Sequence, residues 1–297
     1  MFDSFVRMTR PEFEEAIRAK ARSEFLGGHR CVCRVLGEFL LFVDTRDFAL
    51  APHLMMDGFW ESWVSLAMIK ALKPGATAVD VGANVGYFSL IMARCVGATG
   101  SVISCEPNPE LADLLGQTLV ASGFHQSVLL ERRAAYSESG KSMDMFVPTG
   151  LPMNGRLVAK EQVGRSGTKI SVQTIKLDDI LPDRVDFIKI DAEGAEWDIW
   201  QGMKRVISNN DPIRIFLEFN PRRAYAYDAR KFLDSIEDSG FDLAVVGFEG
   251  QRAPVTRQEL LDGPETILDL IRPAYIEEKQ SADSQCGEMV VEQVTQR

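Results

Sequence analysis

The stretch Val79-Asp80-Val81-Gly82-Ala83-Asn84-Val85-Gly86-Tyr87-Phe88-Ser89 decides the fold. An apolar β-type run enters a glycine-rich turn, and the turn opens into a helical run over residues 87–95. Gly82 and Gly86 allow tight backbone geometry and close approach of a ligand. The N–H groups at the helix start attract a carboxylate or phosphate. About 20 residues further on, after an apolar run at 101–105, stands Glu106, an acid in register to accept hydrogen bonds from both hydroxyls of a ribose. The spacing is G-x-N-x-G rather than G-x-G-x-x-G. Asn84 occupies the place of the glycine that lets a pyrophosphate approach, which favours a nucleoside without phosphates over NAD.

Outward from this turn, strand-like and helix-like runs alternate. Strands are expected at 77–81, 101–105, 128–132, 187–190 and 213–219, with helices at 109–122, 194–208 and 229–239 and closing strands at 243–246 and 267–271. Such alternation predicts an α/β fold with a doubly wound, mostly parallel sheet. Ahead of it, 11–25 reads as a charged amphipathic helix, and 31–36 and 39–43 as a β-hairpin about Gly37-Glu38. Residues 58–72 carry Trp60, Trp63, Val64, Ala67, Met68 and Ala71 at helical spacing, and Pro74-Gly75 ends that helix. The 148–169 segment, rich in Gly, Pro, Arg and Lys, reads as a long functional loop. Three parts are expected: an extension of helix and hairpin over 1–57, a Rossmann-like domain over 58–276, and a polar, disordered tail over 277–297.

The chain of 297 residues has 33 basic and 43 acidic side chains and a net charge of −10. A polyanion is repelled by that balance, so small molecules are expected as partners rather than nucleic acid. The five cysteines, Cys31, Cys33, Cys95, Cys105 and Cys286, show no CxxC spacing and read as free thiols of a reducing compartment. The first ten residues lack the apolar centre of a signal peptide, and no apolar run approaches the ~20 residues of a membrane helix. A soluble, cytoplasmic protein without membrane partners is the expectation.

Two further stretches extend the reading. Cys105-Glu106-Pro107-Asn108-Pro109 follows the second strand, and Ile188-Lys189-Ile190-Asp191-Ala192-Glu193-Gly194-Ala195-Glu196 follows later, preceded by 171–180 with Leu177-Asp178-Asp179. With the glycine turn, the first resembles the opening motifs of class I methyltransferases. The second resembles the signature of the FkbM-type methyltransferase family. The resemblance covers about 59–219 and rests on three motifs in order. It implies a seven-stranded class I sheet whose last hairpin inserts an antiparallel strand. It also implies S-adenosylmethionine as methyl donor and O-methylation of sugars or other hydroxylated metabolites. The donor is expected on Asp80, Gly82, Ala83, Asn84, Gly86, Tyr87, Phe88, Glu106, Pro107, Asn108 and Asp191.

In a doubly wound sheet, ligands bind beyond the carboxyl ends of the strands. Asp191 ends one central strand, and Glu218 and Asn220 end its expected neighbour. These three form the expected catalytic group. Asp191 acts as base or orienting group, or all three hold Mg²⁺, a hard cation suited to oxygen ligands. Asp191 also suits a helix cap, and Glu193 and Glu196 suit the positive end of a helix. Lys189 is out of place in an apolar strand and calls for an acidic partner. Of the histidines, His53 is the one to follow; His29 and His125 belong to no motif. Arg156, Lys160, Arg165 and Lys169 give the long loop positive charge, for solvent or for an acidic substrate. Two rival functions remain: a nicotinamide-dependent oxidoreductase, for which no Tyr-x-x-x-Lys follows a strand, and a scaffold that binds the nucleoside without turnover.

Overall fold

In the computed structural model, which describes residues 2–158, 166–223 and 227–272, the glycine turn sits at the heart of an eight-stranded sheet. The chain begins with α1 (Arg10–Arg18), β1 (Arg22–Gly27), β2 (Arg30–Val35), β3 (Phe39–Asp44), α2 (Leu50–Met56) and α3 (Ser62–Ala71). The first half of the sheet follows: β4 (Thr77–Val81), α4 (Tyr87–Val96), β5 (Ser101–Cys105), α5 (Pro109–Ala121) and β6 (Val128–Glu131). A second sheet intervenes, made of β7 (Ala134–Ala135), β8 (Ser142–Pro148), β9 (Arg156–Val158) and β10 (Gly167–Ile175). Then come α6 (Leu177–Ile180), β11 (Phe187–Ile190), α7 (Glu196–Gln201), α8 (Lys204–Asn209), β12 (Arg214–Phe219) and α9 (Ala229–Asp238). The end is β13 (Ala244–Val246), β14 (Arg252–Pro254), α10 (Arg257–Asp262) and β15 (Thr266–Leu270).

The large sheet runs β14-β13-β15-β12-β11-β4-β5-β6. The pairs from β6 through β12 are parallel, and β15 lies antiparallel between β12 and β13. This is the Rossmann-like arrangement that the resemblance implied, with one strand more: β14 extends the edge by pairing antiparallel to β13. Strand order reverses between β4 and β11, so their carboxyl ends open the crevice where an α/β sheet holds its ligand.

Side chains alternate across the strands and feed two cores. Ala78, Val102, Phe187 and Phe216 face one side, packed with α3, α4 and the N-terminal extension through Phe5, Phe13, Cys33 and Leu41. Val79, Ile103, Ile188, Ile215 and Leu217 face the other, against Trp200, Phe232 and Ile236 of α7 and α9. The extension therefore shares its core with the sheet. It is also tied to α5: Thr118 Oγ1 accepts from the N–H of Phe42 at 3.1 Å and Ser122 Oγ from that of Leu40 at 3.1 Å.

Several local expectations are corrected. The first helix stops at Arg18, and β1 turns the hairpin into three strands, because Arg22 to Phe25 pair with β2. The helix expected at 194–208 is two short ones, α7 and α8. The expected loop at 148–169 contains strand at both ends and at Arg156–Val158 where described: β8 and β10 pair antiparallel from Ser142↔Gln173 to Pro148↔Gly167, and β9 adds to β8. Its weak periodicity hid strands that have one exposed face. Residues 159–165, with Lys160 and Arg165, lie outside the described residues, as do Cys286 and the 277–297 tail. Cys31, Cys33, Cys95 and Cys105 are free thiols. Among the described residues no helix is long and apolar enough to cross a membrane.

Candidate active site

The turn after β4 is left-handed at three places, with φ of 80° at Gly82, 53° at Asn84 and 96° at Gly86. Gly82 is compelled by tertiary contact, since a Cβ there would lie 1.8 Å from the carbonyl oxygen of Asp191. Asn84 is among the few side chains that tolerate such backbone. The turn spends its own amides internally. Gly82 and Ala83 both donate to the Cys105 carbonyl at 3.0 Å, Gly86 to that of Ala83 at 2.9 Å, and Val85 to Asn84 Oδ1 at 2.8 Å. Asn84 N–H donates to Glu106 Oε2 at 2.9 Å. A pyrophosphate would find none of these five donors free.

Glu106 is buried, and its second oxygen accepts from Asn108 N–H at 2.8 Å. Burial pushes its carboxyl up to about 7 against the pull of those two backbone donors. Each oxygen keeps a lone pair for a ligand hydroxyl. Asn108 itself caps α5, its side chain accepting from Glu110 N–H at 3.1 Å.

Glu106 lines a cleft of about 550 Å³ with Gly82, Asn84, Pro107, Leu111, Met153 and Asp191. A neighbouring cavity of about 470 Å³ is lined by Trp60, Ala83, Tyr87, Phe88 and Lys189, and shares Gly82, Asn84, Met153, Asp191 and Glu193 with the cleft. The β4–β11 switch point thus has a chamber on either side.

Under the second chamber lies a buried polar layer. Lys189, only 2% exposed, pairs through Nζ with Asp191 Oδ2 at 2.9 Å and lies 4.5 Å from the Phe88 ring centre. Burial lowers the affinity of its amine for a proton, but Asp191, Asp80 and Glu61 outweigh that and hold the ammonium above its usual range. Asp80 stands opposite Lys189 in the β4–β11 register and accepts from Ser89 Oγ at 2.6 Å. Burial holds the Asp80 carboxyl above the usual range.

A second charged group closes the far side. Arg223 bonds Glu218 through both terminal nitrogens, Nη2 reaching Oε1 at 3.1 Å. The same Nη2 reaches Glu193 Oε2 at 2.9 Å and Glu265 Oε2 at 3.2 Å, and Nη1 reaches Glu196 Oε1 at 3.5 Å. Four carboxylates around one guanidinium leave an excess of negative charge. Burial, then the charges of Asp191 and Glu196, push Glu218 well up, and burial takes Glu193 to about 7. Glu196 also accepts from the N–H groups of Ala192 at 3.1 Å and Gly194 at 3.0 Å, which pins the turn after Asp191.

The glycine turn, the acid and this pinned Asp-Ala-Glu-Gly turn all fall within residues 80–243, the span matched by the family pattern described as Methyltransferase FkbM domain. The chain belongs to the FkbM methyltransferase family. A second pattern, for protein-L-isoaspartate(D-aspartate) O-methyltransferase, matches residues 15–133. The FkbM chain is 29% identical over 155 residues to methyltransferase sdnD of Sordaria araneosa, covering 42% of this chain and 59% of that one. To protein-L-isoaspartate O-methyltransferase 1 of Archaeoglobus fulgidus it is 29% identical over 80 residues, covering 27% of this chain and 33% of that one. It therefore spans less than two thirds of the length of these curated relatives. Among solved structures, methyltransferase FkbM from Methylobacillus flagellatus KT aligns at 17% identity and a TM-score of 0.42, over 66% of this chain and 44% of that one.

Within the FkbM domain the expected donor residues separate. Gly82, Asn84, Glu106, Pro107 and Asp191 line the first cleft, and Ala83, Tyr87 and Phe88 line the second. Asp80, Gly86 and Asn108 line neither. Asp80 lies in the buried layer, Gly86 packs where a Cβ would meet Leu115, and Asn108 serves its helix. Nor do Glu218 and Asn220 line either chamber. Glu218 is held by Arg223, while Asn220 donates through Nδ2 to Glu265 Oε2 at 2.6 Å and accepts Arg222 N–H at 3.0 Å. The expected Mg²⁺ set of Asp191, Glu218 and Asn220 is thereby corrected: two of its carboxylates are each bound by a cation of the chain and the amide is turned into an outer contact. Among the described residues no group of three or more His, Cys, Asp or Glu is placed to hold a metal ion.

Arg223 went unread in the sequence, although an Arg-Arg pair directly after the strand end Asn220-Pro221 was a visible signal. Glu61 and Met153 went unread as well, since nothing local marks them. His53 sits beside Asp57, Nδ1 to Oδ2 3.5 Å, and against Trp60, outside both chambers. Arg156 stacks on Phe146, and Lys169 pairs with Asp144 at 3.3 Å.

Proposed function

We propose that the chain transfers a methyl group from S-adenosylmethionine to a hydroxyl oxygen of a small molecule, sugars included. One observation carries the choice of donor. Glu106 presents an acid to a cleft whose glycine turn has no spare amide, so the site favours a ribose diol and disfavours a pyrophosphate. That weighs equally against a nicotinamide cofactor. S-adenosylmethionine supplies an electrophilic methyl on its sulfonium. The residues of the chain do the rest: Glu106 holds the ribose, Gly82 admits the nucleoside to the crevice, and Asp191 stands where the two chambers meet.

A hydroxyl acceptor must lose its proton as the new bond forms, and Asp191 is the carboxylate placed to orient it and take that proton. Lys189 Nζ lies 2.9 Å from Asp191 Oδ2 and holds that carboxylate in place. Acceptors are small molecules on this reading, with neither nucleic acid nor membrane as partner. Its buried free thiols fit a reducing, cytoplasmic setting.

Calorimetric titration with S-adenosylhomocysteine and with NAD, followed by labelled-methyl transfer to a panel of hydroxylated metabolites, tests this reading. Uptake of S-adenosylhomocysteine but not NAD is expected, since only the former suits the turn. Asp191→Asn should depress turnover far more than it depresses S-adenosylhomocysteine binding. Binding of NAD alone would defeat the donor assignment. Donor binding with no acceptor methylated would favour a non-catalytic scaffold.

A further inference from the structure

Strand β1 is the outer member of the three-stranded sheet β1-β2-β3. Its other edge presents main-chain N–H and C=O groups that no strand among the described residues pairs. Both of its faces are open as well. Ser23 and Phe25 stand opposite the buried Cys33 and Cys31, so all four lie on the core face of the sheet. Yet Ser23 is exposed and Phe25 is 65% exposed, so the strand overhangs the core. Arg22 and Glu24 take the other face, opposite Arg34 and Val32, which sets Arg22 against a like charge. Among the described residues neither makes an ion pair, the Arg22 guanidinium reaching the Ala21 carbonyl at 2.6 Å. Natural edges are ordinarily blunted by lysine, proline or a bulge. Here the run Arg22–Phe25 has no lysine or proline, and the bulge comes after it, at Leu26.

Symmetry and charge together select what such an edge accepts. A strand that pairs antiparallel with its own copy about a two-fold axis normal to the sheet must place one residue on the axis, because residues directly opposite share a face. Centred on Arg22 or on Glu24, the pairing would set like charges face to face, which is destabilising. Centred on Phe25, it would run across the bulge at Leu26. Centred on Ser23, it sets Arg22 of each copy opposite Glu24 of the other, twice, and lays Phe25 beside Ala21 of the other copy. The two core faces then meet edge to edge, and both uncompensated charges find a counter-ion.

We propose that the free edge of β1 pairs with the β1 of a second copy of this chain, about a two-fold axis at Ser23, joining two three-stranded sheets into one of six strands. Main-chain bonds and the shielding of Phe25 supply the attraction, and the paired Arg22 and Glu24 choose the register and the partner. No residue of β1 lines either chamber, so this association stands independently of the methyl donor.

Sedimentation velocity on the full chain over a range of concentrations tests it. Wild type should form a dimer that loosens as salt is raised, since the pairs lie at the surface. Arg22→Glu and Glu24→Arg each set like charges opposite one another, and each should weaken self-association by about 10- to 100-fold. An equal mixture of the two variants should regain the wild-type association, because in a mixed dimer every charge meets its opposite again. A merely structural effect of either change would not be cured by mixing. Should a reversal not fold, as judged by circular dichroism, Arg22→Ala or Glu24→Ala replaces it and should weaken the dimer by about 3- to 30-fold. Wild type that stays monomeric up to about 100 µM overturns the proposal. So does a dimer that both reversals leave intact, or a loss that mixing does not repair.

Discussion

Replacing Arg223 by Gln isolates the charge balance behind the site. The substitution keeps a hydrogen-bonding side chain but strands Glu193, Glu196, Glu218 and Glu265 without their shared cation. Arg223 and Glu218 are both buried, and removing one partner of a buried pair costs about 3–5 kcal/mol. The loss should depend on pH, and its sign follows from the direction of the shifts. Glu193 and Glu218 already hold their protons more tightly than an unfolded chain would. Acids shifted upward favour the folded state below their unfolded values, and lose that advantage as pH rises through the folded value. Without the guanidinium the folded values rise further, so the variant should be weakest in alkali and recover as carboxyls take up protons. Each additional proton bound should shrink the deficit by about 1.4 kcal/mol per pH unit. Urea unfolding followed by circular dichroism at about pH 8 and about pH 6 reads this directly. Exposed Arg222→Gln, the adjacent control, should stay within about 0.5 kcal/mol of wild type. A deficit below about 1 kcal/mol, or one equal at both pH values, would refute the argument.

Other perturbations reach the donor cleft. Glu106→Ala should weaken S-adenosylhomocysteine binding by ~1–3 kcal/mol, through loss of charged hydrogen bonds; unchanged affinity in calorimetry would remove Glu106 from the site. In wild type that affinity should fall as pH drops through about 7, where the Glu106 carboxyl becomes protonated, and a flat profile between acid and alkaline buffers would contradict this. Gly82→Ala brings a Cβ to 1.8 Å from a backbone oxygen of Asp191 and should abolish donor binding along with stability. Gly86→Ala meets only the end of the Leu115 side chain, at 2.3 Å, and should be milder in thermal unfolding. The reverse ranking would mean that β4 and β11 part easily.

How much of this was legible varies with the range of the interaction. The strand, turn and helix around Gly82, and the cap at Asn108, follow from side chains a few positions apart and were readable. Strands β8 to β10 were not, because their pairing joins Ser142 to Gln173 across an irregular stretch whose own pattern is weak. Lys189 announced its need for an acid, and Asp191, two residues away, supplied it. Glu218 and Asn220 were correctly placed at a strand end but not in a chamber, because Arg223 and Glu265 claim them.

The amino-acid sequence by itself determined the alternation of strands and helices, the glycine bend and the acid one strand over, since each depends on local backbone preference and periodic burial. Only the tertiary structure decided which charges meet. Arg223 bonds Glu193 and Glu265, 30 and 42 residues away in the chain, and Gly82 owes its necessity to the carbonyl of Asp191. Such partners are chosen by how strands stack and by which groups burial deprives of water, and neither is encoded in any short run of residues.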